Sequence, residues 1–318
     1  MSEGYRLAGN PVRKVVEKII ESSLLLCALS CILTIFLIIL FIITQGMPII
    51  LKEGPINFIT GTTWDPYNNI YNIFPMIVST FAVTLLSLLF AVPLGLGCAM
   101  LIAEVAPYQV RSIIRPAIET LAAIPSVIYG LFGLILLVPF IRDYIVPFAH
   151  DYIGWIPVVG GLVGTTGKGF SVLAGGIILA IMILPTIISV SEDSLRAVPR
   201  ELREGSLAMG ATQWQMITGI VTPAALSGIV AGVVLGMGRA IGETMAVWMV
   251  CGNATEIPTS ILSMARPMTA AIALEWGYAT GDHQVALFAI GIVLLIVIMI
   301  LNLVIYLANR KKLNFARM

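Results

Sequence analysis

The chain has 318 residues, 58% of them hydrophobic and 11% charged, with a mean hydropathy of +1.00. A soluble globular domain carries about 25% charged residues, so this chain cannot cover its own surface in water, and hydrocarbon must form part of its solvent. A net charge of +1 gives no sign of a nucleic-acid partner.

Runs of about 20 apolar residues mark membrane spans. Six are expected, at 22–44, 73–103, 117–141, 172–190, 217–250 and 285–308, which makes the chain an all-α polytopic membrane protein. Residues 1–21 form a cytoplasmic N-terminal segment, 22–309 the six-helix transmembrane domain and 310–318 a cytoplasmic tail. The first run is longer than the roughly 7–15 residues of a signal-peptide core and has no small-x-small cleavage site after it, so it reads as a permanent span. Cys27 and Cys31 stand four apart on one face of it, a spacing that suits packing. With Cys98 and Cys251 they make no disulfide framework, and with only His150 and His283 available they make no metal site. A polar external segment, 45–72, contains the turn formers Gly61-Thr-Thr-Trp-Asp-Pro66.

The second and fifth spans exceed one bilayer thickness, and tilt or a break is expected in each. Near the start of the third lies Glu119, either an interfacial carboxylate or a support to a polar path through the membrane; Pro125 is expected to kink that helix. In the external segment 142–171, Gly161-Leu-Val-Gly-Thr-Thr-Gly-Lys-Gly169 superficially follows a phosphate-binding loop. Its first glycine is one residue out of register, and Gly169 stands where Ser or Thr would hold magnesium, so it reads as a flexible loop. No nucleotide motif remains, and no Ser/His/Asp set or paired carboxylates argue for an enzyme.

The fourth connection, 191–216, is long, polar and helical in pattern. Pro199 suits the first turn of a short helix, helix formers run through Met209, Gly210 ends it, and Thr212 can cap a second helix. Leu207, Ala208 and Met209 are its apolar contacts. Such a knob fits a partner's groove or lies on lipid headgroups.

The fifth span contains Gly238-Arg-Ala-Ile-Gly-Glu-Thr-Met-Ala-Val247. An arginine at the bilayer centre costs roughly 2.5–3.5 kcal/mol on insertion scales. Glu243, four residues on, is expected to share its helix face and offset that cost, with Thr244 in possible support. Two readings stay open: Arg239 meets an anion in transit while Glu243 steadies the guanidinium, or the pair locks helices together. Gly228, Gly232 and Gly236, with Gly238 and Gly242, recur at four-residue spacing and suit close helix packing or room for an ion. Beyond the span, Asn253-Ala254-Thr255 is a glycosylation sequon by letter alone.

Basic residues orient the chain. Arg6, Arg13, Lys14, Lys18, Arg111, Arg115, Arg196, Arg200, Arg203, Arg310, Lys311, Lys312 and Arg317 fall on one side. Against these thirteen, the other side has four: Lys52, Arg142, Lys168 and Arg266. Both termini are therefore expected in the cytoplasm.

Glu204-Gly205-Ser206, Gly210, Ile220 and Pro223 resemble the cytoplasmic loop signature of ABC-importer permeases, which reads Glu-Ala-Ala, a glycine, then Ile-x-Leu-Pro. Gly205, Ser206 and Thr222 depart from it, the first two conservatively. The resemblance implies a MetI-like bundle whose coupling helix, Glu204 to Gly210, docks on an ATP-binding subunit. The stretches 238–247 and Ala122-Ala-Ile-Pro-Ser-Val-Ile-Tyr-Gly130, with Thr63-Trp-Asp-Pro66, look like the PstC family of phosphate-transport permeases over essentially the whole chain. The arginine stretch is shared with the sister permease PstA; the external Asp-Pro turn favours PstC. That resemblance implies a heterodimer with a PstA-like permease, two PstB-like ATPases holding ATP and Mg, and a PstS-like periplasmic phosphate-binding protein. Beside these the chain would meet phosphate and membrane lipid, and bind no cofactor itself. A permease for sulfate or molybdate, or an ion-coupled transporter working without ATP, are the competing readings; no inverted halves support the last.

Overall fold

The computed structural model describes residues 11–153, 157–164 and 167–315. Expectations for residues 1–10, for Thr165 and Thr166 of the glycine-rich loop, and for residues 316–318 lie outside these.

The chain opens with α1 (Pro11–Glu53), a 43-residue helix. At 1.5 Å per residue it is about 64 Å long, twice the hydrocarbon thickness. It continues past the expected end at Thr44 as far as Glu53, and Gly54, at φ +84°, turns the chain into the short α2 (Pro55–Thr60). Two-residue strands β1 (Trp64–Asp65) and β2 (Ile70–Tyr71) pair antiparallel, Trp64 with Tyr71. The Asp65 side chain accepts from the backbone N–H groups of Tyr67 and Asn68, the Asp-Pro turn expected from sequence.

Helix α3 (Phe74–Val105) crosses next, followed by the amphipathic α4 (Tyr108–Ala123), none of whose residues is buried. The third span, α5 (Ser126–Tyr152), differs from expectation at both ends. It begins at Ser126 because Ile124 and Pro125 are both extended, a full break where a kink was expected. A proline bars its predecessor from helical geometry, and Ile124 obeys. It then runs into the segment expected as external loop. Pro139 and Pro147 each lack an N–H, and wide turns closed by Val138 N–H to Gly133 C=O and by Val146 N–H to Ile141 C=O carry the helix past them.

After α6 (Pro157–Val163) comes α7 (Val172–Arg196), the most enclosed of the long helices. Its packing on α3 is close enough that a Cβ at Gly176 would fall 2.9 Å from Leu86, and one at Gly175 3.1 Å from Val83. The short α8 (Arg200–Ala208) precedes α9 (Gln213–Ala224) and α10 (Leu226–Gly242), two helices bent by 71° at Ala225. The expected fifth span is thus divided twice, at Ala225 and again at Glu243, before α11 (Met245–Val250). Finally α12 (Met268–Glu275) leads to α13 (Asp282–Phe315), whose first half packs on α1. Among the described residues five continuous helices are long and apolar enough to cross a membrane, and the bent pair makes six if it forms one span. Cys27, Cys31, Cys98 and Cys251 are all free thiols.

Candidate functional site

The central arginine sits on α10, and the glycines of that helix divide into two rows. Gly228, Gly232 and Gly236 face α7, where an added Cβ would meet Ser194, Val190 and Ile187 in turn. Gly238 and Gly242 face open space, with no atom within 4 Å of an added Cβ. One row brings helices together; the other leaves an edge clear. Arg239 lies on the exposed side. Its depth follows from the packing: Gly236 abuts Ile187 and Ile183, near the middle of the 25-residue α7, so Arg239 stands near mid-span.

The expected ion pair between Arg239 and Glu243 does not form. Helix α10 ends at Gly242, and Glu243 adopts an extended backbone (ψ 135°), so four residues of sequence no longer mean one helix face. The Glu243 carboxylate accepts from the backbone N–H of Ala246 at 3.3 Å, and its carbonyl accepts from the Thr269 hydroxyl at 2.6 Å. Thr244 donates to the Gly242 carbonyl at 3.3 Å, inside the same break. Among the described residues, none hydrogen-bonds or ion-pairs with Arg239. Glu119 is elsewhere: on α4 it accepts from Arg115 at 3.2 Å, and Arg115 also reaches Asp193 at 3.3 Å. Glu119's hydrogen bond pushes Arg115's pKa further up, keeping it cationic. This carboxylate belongs to a charged cluster at the end of α7.

The loop helix α8 forms as its local signals direct. Pro199 stands at its N-cap, Gly210 (φ +88°) turns the chain left-handed after it, and Thr212 closes a capping box with Gln215. Of the residues expected to dock, Glu204, Gly205, Leu207, Ala208, Met209 and Gly210 are exposed. Ser206 is the correction: it is buried, donating to the Arg203 carbonyl, because it lies on the inward face of the helix. Trp214 extends the outward apolar surface.

A further cluster went unmarked in the sequence. At the opposite end of the bundle from α8, the buried Glu275 carboxylate accepts from Trp64 Nε1 at 3.0 Å and Arg266 at 2.5 Å, and lies 2.7 Å from His283 Nε2. These groups stiffen one wall of a cavity of about 570 Å³ rimmed by Tyr67 and Tyr278. Trp64 and Glu275 are 211 positions apart, beyond the reach of any local pattern.

Helices of membrane length, an exposed loop helix and an arginine within an apolar span are the features a membrane permease would carry. The description "Binding-protein-dependent transport system inner membrane component" matches residues 91–314, and the chain belongs to that family. It is 40% identical over 258 residues to "Phosphate transport system permease protein PstC" of Xylella fastidiosa, covering 81% of this chain and 79% of that one. To "Probable ABC transporter permease protein YqgH" of Bacillus subtilis it is 40% identical over 280 residues, 86% and 84% of the two chains. Its fold is shared with a bacterial ABC transporter that imports the acidic polysaccharide alginate (TM-score 0.59, 21% identity, 94% of this chain and 99% of that one). The MetNI methionine ABC transporter in an inward-facing form is similar as well (TM-score 0.53, 19% identity, 78% and 99%). The MetI-like expectation for the fold therefore holds.

Proposed function

We propose that this subunit passes inorganic phosphate through the inner membrane as the PstC-type half of an ATP-driven importer. Relatives at about 40% identity bear that function in their names. The observation that carries the reading is Arg239, exposed on an edge of α10 cleared by two glycines and making no hydrogen bond or ion pair among the described residues. A guanidinium at that depth facing hydrocarbon is unfavourable by several kcal/mol. It faces instead a wet cavity closed by a second, PstA-like permease, and its five donors wait for oxyanion oxygens. Glu243, turned into the helix break, shapes the wall of that path without neutralising the arginine.

The exposed apolar surface of α8 docks on a PstB-like ATPase, one of two, where ATP and Mg are bound and hydrolysed. A PstS-like binding protein delivers phosphate at the face holding Glu275. The α8 end and both termini face the cytoplasm in this reading, which the clustering of basic residues on that side supports.

Uptake of radiolabelled phosphate into vesicles carrying the assembled complex tests this. Uptake requires ATP and is competed by arsenate but not by sulfate. Uptake that persists without ATP, or that sulfate blocks as well as arsenate does, contradicts it.

A further inference from the structure

Of the nine residues of α8 only Ser206 is buried, and among the described residues of that helix only the Arg203 side chain bonds to another element. All five guanidinium donors are used. Nε and Nη2 donate to the two carboxylate oxygens of Glu104 at 3.2 and 2.8 Å; Nη2 also donates to Leu195 C=O at 2.8 Å. Nη1 donates to the carbonyls of Val198 and Pro199. The bond pair to Glu104 is the bidentate fork that only arginine makes. Both partners are largely enclosed, the side chains 17% and 6% exposed, so water does not loosen the link.

Glu104 is not an isolated acceptor. It ends α3, whose last carbonyls, at Ile102 and Ala103, are held by Arg111 from α4 at 2.9 Å each. The Glu104 carbonyl also accepts from Gln213 at the start of α9. From Glu104, helix α3 runs back about 25 residues, about 37 Å, to Ser79 and Thr80. Those hydroxyls accept the backbone N–H groups of Arg266 and Met268 at 3.3 and 3.0 Å, and Thr269 binds the Glu243 carbonyl in the break beside Arg239. Helix α3 thus joins the loop helix to the wall of the proposed path.

We infer that the Glu104–Arg203 pair is the strut that turns displacement of α8 into displacement of α3, so that both residues position the transport path without touching cargo. This rests on α8 docking on an ATPase, the reading given above. A lysine at 203 keeps the charge but cannot form the fork, and a glutamine at 104 keeps the shape but loses the charge.

The test uses the whole reconstituted complex, measuring phosphate uptake and ATP hydrolysis in the same vesicles for Arg203→Lys, Glu104→Gln and Met209→Glu. With the strut weakened, the ATPase stays attached and hydrolyses ATP, while ATP consumed per phosphate imported rises at least roughly tenfold. Met209→Glu, on the docking surface, instead releases the ATPase. If both strut variants keep the normal ratio, or lose the ATPase outright, the strut is overturned while docking stands on the Met209 result. If Met209→Glu also leaves attachment and coupling untouched, the docking reading falls with it.

Discussion

Two arginines in this chain have opposite surroundings. Arg203 spends all five donors inside the protein, on a carboxylate and three carbonyls. Arg239 lies at mid-span and has no bonded partner among the described residues. A satisfied guanidinium fixes helices in place. An unsatisfied one, kept where it is most expensive to keep, is what the proposed role of meeting an anion in transit calls for. The same division runs through the glycines of α10, where one row presses on α7 and the other stays clear around Arg239.

The contrast can be broken most sharply at Arg239. Arg239→Ala lowers phosphate uptake by at least about 100-fold, the loss of two charge-assisted hydrogen bonds at about 1.5–3 kcal/mol each, with the complex still assembled. Arg239→Lys keeps the charge without the fork and falls roughly tenfold. Uptake at the normal rate would make Arg239 another structural arginine. Arg203→Ala inverts the pattern. It strands the enclosed Glu104 charge, and thermal unfolding in detergent registers a loss of about 3–5 kcal/mol, whereas Arg239→Ala leaves the melting temperature unmoved.

The glycine rows offer a smaller version of the same comparison. Gly228→Val drives a side chain to within 2.0 Å of Ser194 Oγ and costs about 1–3 kcal/mol. Gly238→Val meets nothing in this subunit, so it leaves the isolated chain stable and slows uptake by narrowing the space beside Arg239. Equal effects on melting at both positions would erase the distinction. The smallest effect is at the loop. Gly210→Ala strains a backbone at φ +88° and Thr212→Ala removes the capping box, each by about 1 kcal/mol. Both are read as faster local exchange of the α8 and α9 amides.

How far the sequence went follows from where each signal is stored. The loop helix was legible because its bounds are local: Pro199, Gly210 and Thr212 each act within one turn. Mid-membrane placement of Arg239 was legible because charge is scarce in an apolar run. The fate of Glu243 was not, since spacing assumes an unbroken helix, and the break is held by Thr269, far along the chain. Pro125 is visible in sequence as a kink, but its exclusion of helical geometry at Ile124 makes it a full break, and the third span starts at Ser126. The Glu104–Arg203 and Trp64–Glu275 links join positions 99 and 211 apart, and only the packed bundle brings them together.

The claim that Arg239 faces a watery path for an anion meets its most direct test in thiol labelling at Gly238, one residue away on the cleared edge. In the assembled complex, with the four native cysteines replaced, Gly238→Cys reacts with a negatively charged methanethiosulfonate, and phosphate slows that reaction while chloride does not. Labelling by a lipid-soluble maleimide alone, with phosphate making no difference, would show that the edge faces lipid and contradict the account.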